Sequence, residues 1–171
     1  MSRGKSRPKG GGGTPATVEL TAAAVPFTEH EYTHDPREQS YGTEAARALG
    51  LEPDEVFKTL LVRLEGGGHD ADLGVVIVPV DRHVDLKAAG AAFGAKRAAM
   101  ADPAVAACTT GYVVGGISPF GQRRRLPTVL DEGALAHAVI YVSGGRRGFD
   151  VGVAPQDLVR VLDATVAPVS R

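Results

Sequence analysis

Val56-Phe57-Lys58-Thr59-Leu60-Leu61-Val62 is the stretch on which the fold of this chain turns. Four of its seven residues are β-branched or aromatic, and it runs on into Gly66-Gly67-Gly68, so it predicts a strand. Alternating side chains put Lys58 on one face with Leu60 and Val62, and Phe57 on the other. An ammonium group in such a run is unusual, because desolvating it is costly unless it is paired. Either its head reaches solvent along its own stem at a strand edge, or it meets a negative or strongly polar partner. That partner can be a ligand.

Working outward, Gly66 to Asp70 reads as a hairpin loop, and Leu73–Pro79 as a partner strand buried on both faces. Upstream, Thr14-Pro15 predicts a capped helix running to about Ala24. An extended segment follows from Phe27 to Thr33, then a short helix over Thr43–Leu49 that Gly50 ends. Downstream, Asp85–Phe93 is a helix closed by Gly94, and Asp102-Pro103 starts another that reaches about Cys108. Gly111 to Gly121 is rich in Gly and Pro and predicts irregular structure. Strands are expected at Thr128–Leu130, Val139–Val142 and Phe149–Val153. A helix over Pro155–Leu162 precedes a last short strand. Helices and strands mix without a βαβ rhythm, which makes this an α+β (mixed α/β) chain.

The 171 residues suit one domain over 14–171, after a basic, glycine-rich tail at 1–13 that predicts flexibility. The tail carries Arg3, Lys5, Arg7 and Lys9 and no acid. The remainder holds 15 basic against 20 acidic residues, a balance of −5 within an overall −1. A body of that charge is not a general nucleic-acid binder, so any phosphate contact must use a local patch. One cysteine, Cys108, excludes an internal disulfide. Its place after Ala104-Val105-Ala106-Ala107 reads as a structural position. No run is long and apolar enough to span a membrane, and no secretory signal is present, so a cytoplasmic location is expected.

Two motif matches mislead. His30-Glu31-Tyr32-Thr33-His34 fits the H-E-x-x-H zinc pattern, but that chemistry needs a helix. Pro26, Tyr32-Thr33 and Pro36 oppose one. In a strand the two histidines stand about 13 Å apart, at roughly 3.3 Å per residue. Gly4-Lys5-Ser6 ends like a phosphate-binding loop but has no strand before it. No metal or other cofactor is expected. His69, His83 and His137 read as surface residues.

Two glycine pairs carry more. Gly115-Gly116, inside Gly111–Gly121, and Gly144-Gly145, after Ser143 and before Arg146-Arg147, permit close backbone approach and expose amides. Arg123-Arg124-Arg125 lies between them. Either pair alone is commonly only a turn. With Lys58 they supply a cation, backbone donors, a hydroxyl and flanking arginines, the parts of a site for a polar, phosphate-bearing ligand.

Here a family resemblance appears. Thr14-Pro15-Ala16, Tyr32-Thr33-His34-Asp35-Pro36, the Lys58 strand, Met100-Ala101-Asp102-Pro103, Gly115-Gly116-Ile117-Ser118-Pro119, Arg125-Leu126-Pro127-Thr128 and Tyr141-Val142-Ser143-Gly144-Gly145 occur in order with similar gaps. Together they closely resemble the YbaK/EbsC family, free-standing relatives of the prolyl-tRNA synthetase editing domain. The likeness runs from about Thr14 to Ala167. It implies a barrel-like mixed β-sheet surrounded by helices, with a pocket for the 3′-terminal adenosine of tRNA and its amino acid. It implies that Lys58 is the essential lysine, and that Tyr32 and Thr59 line the pocket. Gly115, Gly116 and Ser118 would form its backbone wall, Ser143 would stand opposite, and Asp150 would supply an acidic group. The implied activity is clearance of Cys-tRNA(Pro), or Cys-tRNA(Cys), by attack of the cysteinyl thiol on its own ester carbonyl. The implied partners are the mischarged tRNA and prolyl-tRNA synthetase. Clearance of another small amino acid such as alanine, and a non-catalytic module that binds aminoacyl or nucleotide ends, are the alternatives.

Overall fold

Side-chain caps set the helix starts. Thr14 accepts from the Thr17 amide, Asp85 from Ala88 and Asp102 from Ala104, and Pro15 and Pro103 occupy first turns. In this computed structural model, which describes residues 13–68 and 71–171, these caps open α1 (Pro15–Ala22), α3 (Leu86–Phe93) and α4 (Pro103–Thr110). The tail up to residue 12 and His69 lie outside the described residues. The other helices are α2 (Tyr41–Leu49) and α5 (Pro155–Leu162). The helix expected over Thr43–Leu49 thus begins two residues earlier, and that over Pro155–Leu162 is found as expected.

Among the described residues, eight strands form two sheets. The larger is mixed and five-stranded, in the order β4 (Arg97–Met100), β2 (Phe57–Glu65), β3 (Leu73–Pro79), β5 (Thr128–Asp131), β8 (Thr165–Ala167). β2 is antiparallel to β3 and β4, whereas β5 is parallel to β3 and β8. The smaller is antiparallel, β1 (Thr28–Glu31), β7 (Phe149–Val153), β6 (Ile140–Arg146). Among the described residues, an isolated parallel bridge, Val56 to Tyr141, links the two sheets. The expected mixed α/β architecture with surrounding helices is found, its strands divided between two sheets. β4 had no counterpart in the sequence reading.

β3 is buried along its whole length, so its two faces serve two cores. Val75 and Ile77 join Phe57, Leu61, Leu130, Val151 and Leu158 in the main core between the sheets. Val76 and Val78 join Val62, Leu64 and Ala89 of α3 on the far side. Full burial of such side chains contributes about 1.5–3 kcal/mol each. Register pairs Lys58 with Val78 and Leu60 with Val76. Lys58 therefore shares the second face with Leu60 and Val62, and Thr59 goes with Phe57. A small third core, Ala45, Ala46, Val56 and Val80, with Tyr32 and Tyr141 packed against it, seats α2 beside the start of β2 and the end of β3.

Candidate functional site

At Thr59 the strand is covered on one side only. β3 pairs with β2 from Phe57 to Arg63, but β4 pairs only from Val62 to Glu65. The Ala101 N–H donates to the Leu61 carbonyl at 3.0 Å, so Leu61 aims its backbone polar groups toward the β4 side. Alternation gives Thr59 the same direction. Among the described residues, no strand pairs with that flank of Thr59. A cavity of about 330 Å³ opens there. Its walls come from β2, from the start of α2, from the Val114–Ile117 loop, and from Ser143 and Asp150 of the small sheet.

Among the described residues that line this cavity, Lys58 is the single cation and Asp150 the single acid. Lys58 is half-buried, and burial pulls its pKa down while the charge of Asp81 opposes that shift. Asp150 is buried, and desolvation raises its pKa from the ordinary 3.8 to about 7. The register places it between Ser143 on β6 and His30 on β1, so these three side chains share one face of the small sheet. The phenol of Tyr32 is pushed up to about 12, first by burial and then by the charges of Asp150 and Glu44. It is a hydrogen-bond donor and no base at neutral pH. The Thr59 hydroxyl is buried with no hydrogen-bond partner among the described residues. An orphan of that kind is normally satisfied, and one facing a cavity is poised for a ligand.

The chain brings six of the eight expected residues together: Lys58, Tyr32, Thr59, Gly115, Ser143 and Asp150. Gly116 and Ser118 lie elsewhere. The Gly116 N–H donates to the Val113 carbonyl at 2.9 Å, so it cannot serve as a free donor. A Cβ on Gly116 would lie 2.9 Å from the backbone of Arg146, so its smallness lets the two glycine-bearing loops touch. Ser118 is fully buried, and its hydroxyl accepts from the Phe120 N–H at 3.2 Å within its own turn. Gly115 has φ +88°, and a Cβ there would meet the Tyr41 ring at 2.8 Å.

Tyr41 was not singled out from the sequence. It lies at the start of α2, beside Gln39 and Thr43 in the lining. Its signal was the polar helix start Ser40-Tyr41-Gly42-Thr43, which composition alone does not separate from an ordinary turn. Glu44, buried in the first turn of α2, holds the approach to this point. It meets His34 Nδ1 at 2.8 Å and accepts from the Asp35 N–H at 2.7 Å.

The remaining candidates fall outside the cavity. His30 ends up in β1, and His34 follows beyond the strand's end, bound to Glu44, so the H-E-x-x-H string is extended rather than helical. Cys108 is exposed, not structural: α4 buries Ala106 and Thr110, and Cys108 falls on the opposite side. Of the five arginines that flank the glycine pairs, Arg123–Arg125, Arg146 and Arg147, three are neutralised, Arg124 by Asp72 at 2.8 Å, Arg125 by Glu19 at 3.1 Å and Arg146 by Glu31 at 2.9 Å. Arg123 donates to the Cys108 carbonyl. No helix among the described residues is long and apolar enough to cross a membrane.

Comparison with known proteins gives a consistent result. The model of the aminoacyl-tRNA editing domain matches residues 37–161. A protein of Enterococcus faecalis, EbsC, provisionally named a Cys-tRNA(Pro)/Cys-tRNA(Cys) deacylase, is 32% identical over 146 residues, covering 85% of this chain and 86% of its own. A crystal structure of a hypothetical protein superposes with TM-score 0.79 and 25% identity, over 92% of this chain and 99% of the other. A crystal structure provisionally titled a trans-editing enzyme for prolyl-tRNA synthetase has the same fold, with TM-score 0.79 and 23% identity over 92% and 95%.

Proposed function

This chain belongs to the aminoacyl-tRNA editing-domain family, and from that footing we propose that it is a trans-acting deacylase that clears cysteine from mischarged tRNA(Pro). The 3′-terminal aminoacyl-adenosine occupies the cavity between β2 and the small sheet. One observation carries the choice of mechanism. Of the hydroxyls lining the cavity, that of Ser143 accepts from the Gly145 N–H at 3.1 Å, that of Thr59 has no partner among the described residues, and Cys108 is elsewhere. A protein nucleophile would need a base beside it.

The substrate supplies the nucleophile instead. The cysteinyl sulfur bonds to the ester carbonyl carbon, the C–O bond to the ribose breaks, and the thiol proton ends on the ribose oxygen. Free tRNA leaves, with a cyclic thiolactone that water later opens. The protein holds sulfur against carbonyl and supplies fixed donors to the developing oxyanion. The uncovered Thr59 amide, the Thr59 hydroxyl and the Lys58 ammonium are the groups placed for this. Lys58 acts on the ribose end or on the carbonyl, and its half-buried setting strengthens either contact. Prolyl-tRNA synthetase is the partner that selects the tRNA, which suits a body that is mildly acidic.

A deacylation panel across Cys-, Ala-, Ser- and Pro-charged tRNA(Pro) tests the scheme. Cysteine is released fast and alanine slowly, because the alanyl ester has no internal nucleophile. Equal rates on the two overturn thiol assistance, and binding without turnover of any ester makes this a binding module. Lys58→Ala loses more than nine-tenths of the activity while the protein stays folded by circular dichroism, a barrier rise above ~1.4 kcal/mol.

A further inference from the structure

The cavity has room for one aminoacyl-nucleoside. At about 330 Å³ it lies near the small end of the range for ligand sites. If the terminal adenosine fills it, the phosphodiester that joins that nucleotide to the one before it must sit at the mouth. A single arginine stands there without an acidic partner. Arg147 is exposed, and among the described residues it forms no ion pair, unlike Arg124, Arg125 and Arg146.

Its orientation is fixed from two directions. The Arg147 Nε donates to the Val114 carbonyl at 2.8 Å, and its guanidinium carbon lies 5.0 Å from the centre of the Tyr41 ring. Both Val114 and Tyr41 line the cavity. The ring is braced in turn by Gly115 beneath it and by His34, whose centroid is 5.6 Å away. With Nε committed and one face on the ring, Nη1, Nη2 and the other face remain. A guanidinium held over a ring and tied through Nε is pre-organised for two phosphate oxygens.

We propose that Arg147, stacked on Tyr41, is the docking residue for the phosphodiester immediately before the terminal nucleotide of the bound RNA. This rests on the deacylase function proposed above and adds a second point of attachment to it. Arg147 binds the RNA backbone and does not touch the reacting atoms.

The test compares the full chain carrying Arg147→Gln, and Arg146→Gln as control, on two substrates. One is Cys-tRNA(Pro); the other is 3′-cysteinyladenosine with a free 5′-hydroxyl, which lacks the phosphodiester. On tRNA, Arg147→Gln raises KM about tenfold with kcat unchanged, as loss of one charge-assisted contact predicts. The slope of log KM against log salt falls by about 0.7, the value for one phosphate contact on a single strand. On cysteinyladenosine the variant equals the wild type, and Arg146→Gln changes neither substrate. An unchanged KM and salt slope on tRNA overturns the assignment and leaves the deacylase function standing. An equal KM rise on both substrates also overturns it, since Arg147 would then only brace the cavity wall. Wild-type protein that clears neither substrate overturns the deacylase function itself.

Discussion

Replacing Asp150 by asparagine separates the cost of the buried acid from the shape of its site. The residue is only 5% exposed and has no ion-pair partner among the described residues. Its carboxyl keeps its proton to about pH 7, against an ordinary value of 3.8. At ~1.4 kcal/mol per pH unit, the fold therefore favours the protonated form by about 4 kcal/mol. The sign follows directly. Between pH 3.8 and 7 the native state binds more protons than the unfolded one, so stability falls as pH rises through that window. The contribution is whole below the unfolded value and gone above the folded one. Asparagine keeps the shape and carries no charge, so Asp150→Asn is nearly neutral at pH 4 and stabilising by up to about 4 kcal/mol at pH 8. Urea denaturation at pH 4, 6 and 8 reads this out. With a slope of about 1–3 kcal/mol per molar, the variant's midpoint at pH 8 exceeds the wild type's by more than about 1 M. A midpoint difference that does not change with pH would refute the reasoning. The natural enzyme then keeps an acid at the floor of its pocket against its own stability, a common trade at sites that do chemistry.

Two further substitutions probe the same walls. Thr59→Val removes a buried hydroxyl that has no partner, so it raises stability by about 1 kcal/mol in urea while lowering deacylation of Cys-tRNA(Pro); a destabilised variant would show that the hydroxyl is satisfied in the folded protein. Gly115→Ala must hold a side chain at φ +88° and drive it into the Tyr41 ring, which costs about 1–3 kcal/mol and lowers Tm by at least about 3 °C; an unchanged melting curve would mean that the loop gives way freely.

Much of the fold was legible because its punctuation is strong. Leu73–Pro79 and Pro155–Leu162 were found at the expected bounds, the first an unbroken apolar run and the second introduced by proline. β4 was not legible. Arg97-Ala98-Ala99-Met100 has no β-branched or aromatic residue, and only its pairing with Val62–Glu65 makes it a strand. Ser143-Gly144-Gly145 read as a loop, yet β6 continues through it with an irregularity between Ser143 and Arg146. The glycines there serve packing: a Cβ on Gly144 would meet the Phe149 ring at 2.5 Å.

The site divides along the same line. Lys58 announced itself as a charge in an apolar run. Gly115 and Gly116 are indistinguishable as letters, and only the fold assigns one to Tyr41 and the other to the backbone of Arg146. Which arginines keep their charge available depends on acids remote in sequence, such as Glu19 and Glu31, so the pattern could not give it.

The uncovered flank of β2 has a consequence for the life of the protein outside catalysis. A bare strand margin normally invites a second chain to add its own strand, the first step toward aggregates. Here the start of α2, the Val114–Ile117 loop and the small sheet line the cavity on that margin. The helix that frames the reaction chamber thus doubles as a cover against misassembly, and loosening it would expose a sticky seam as well as a pocket.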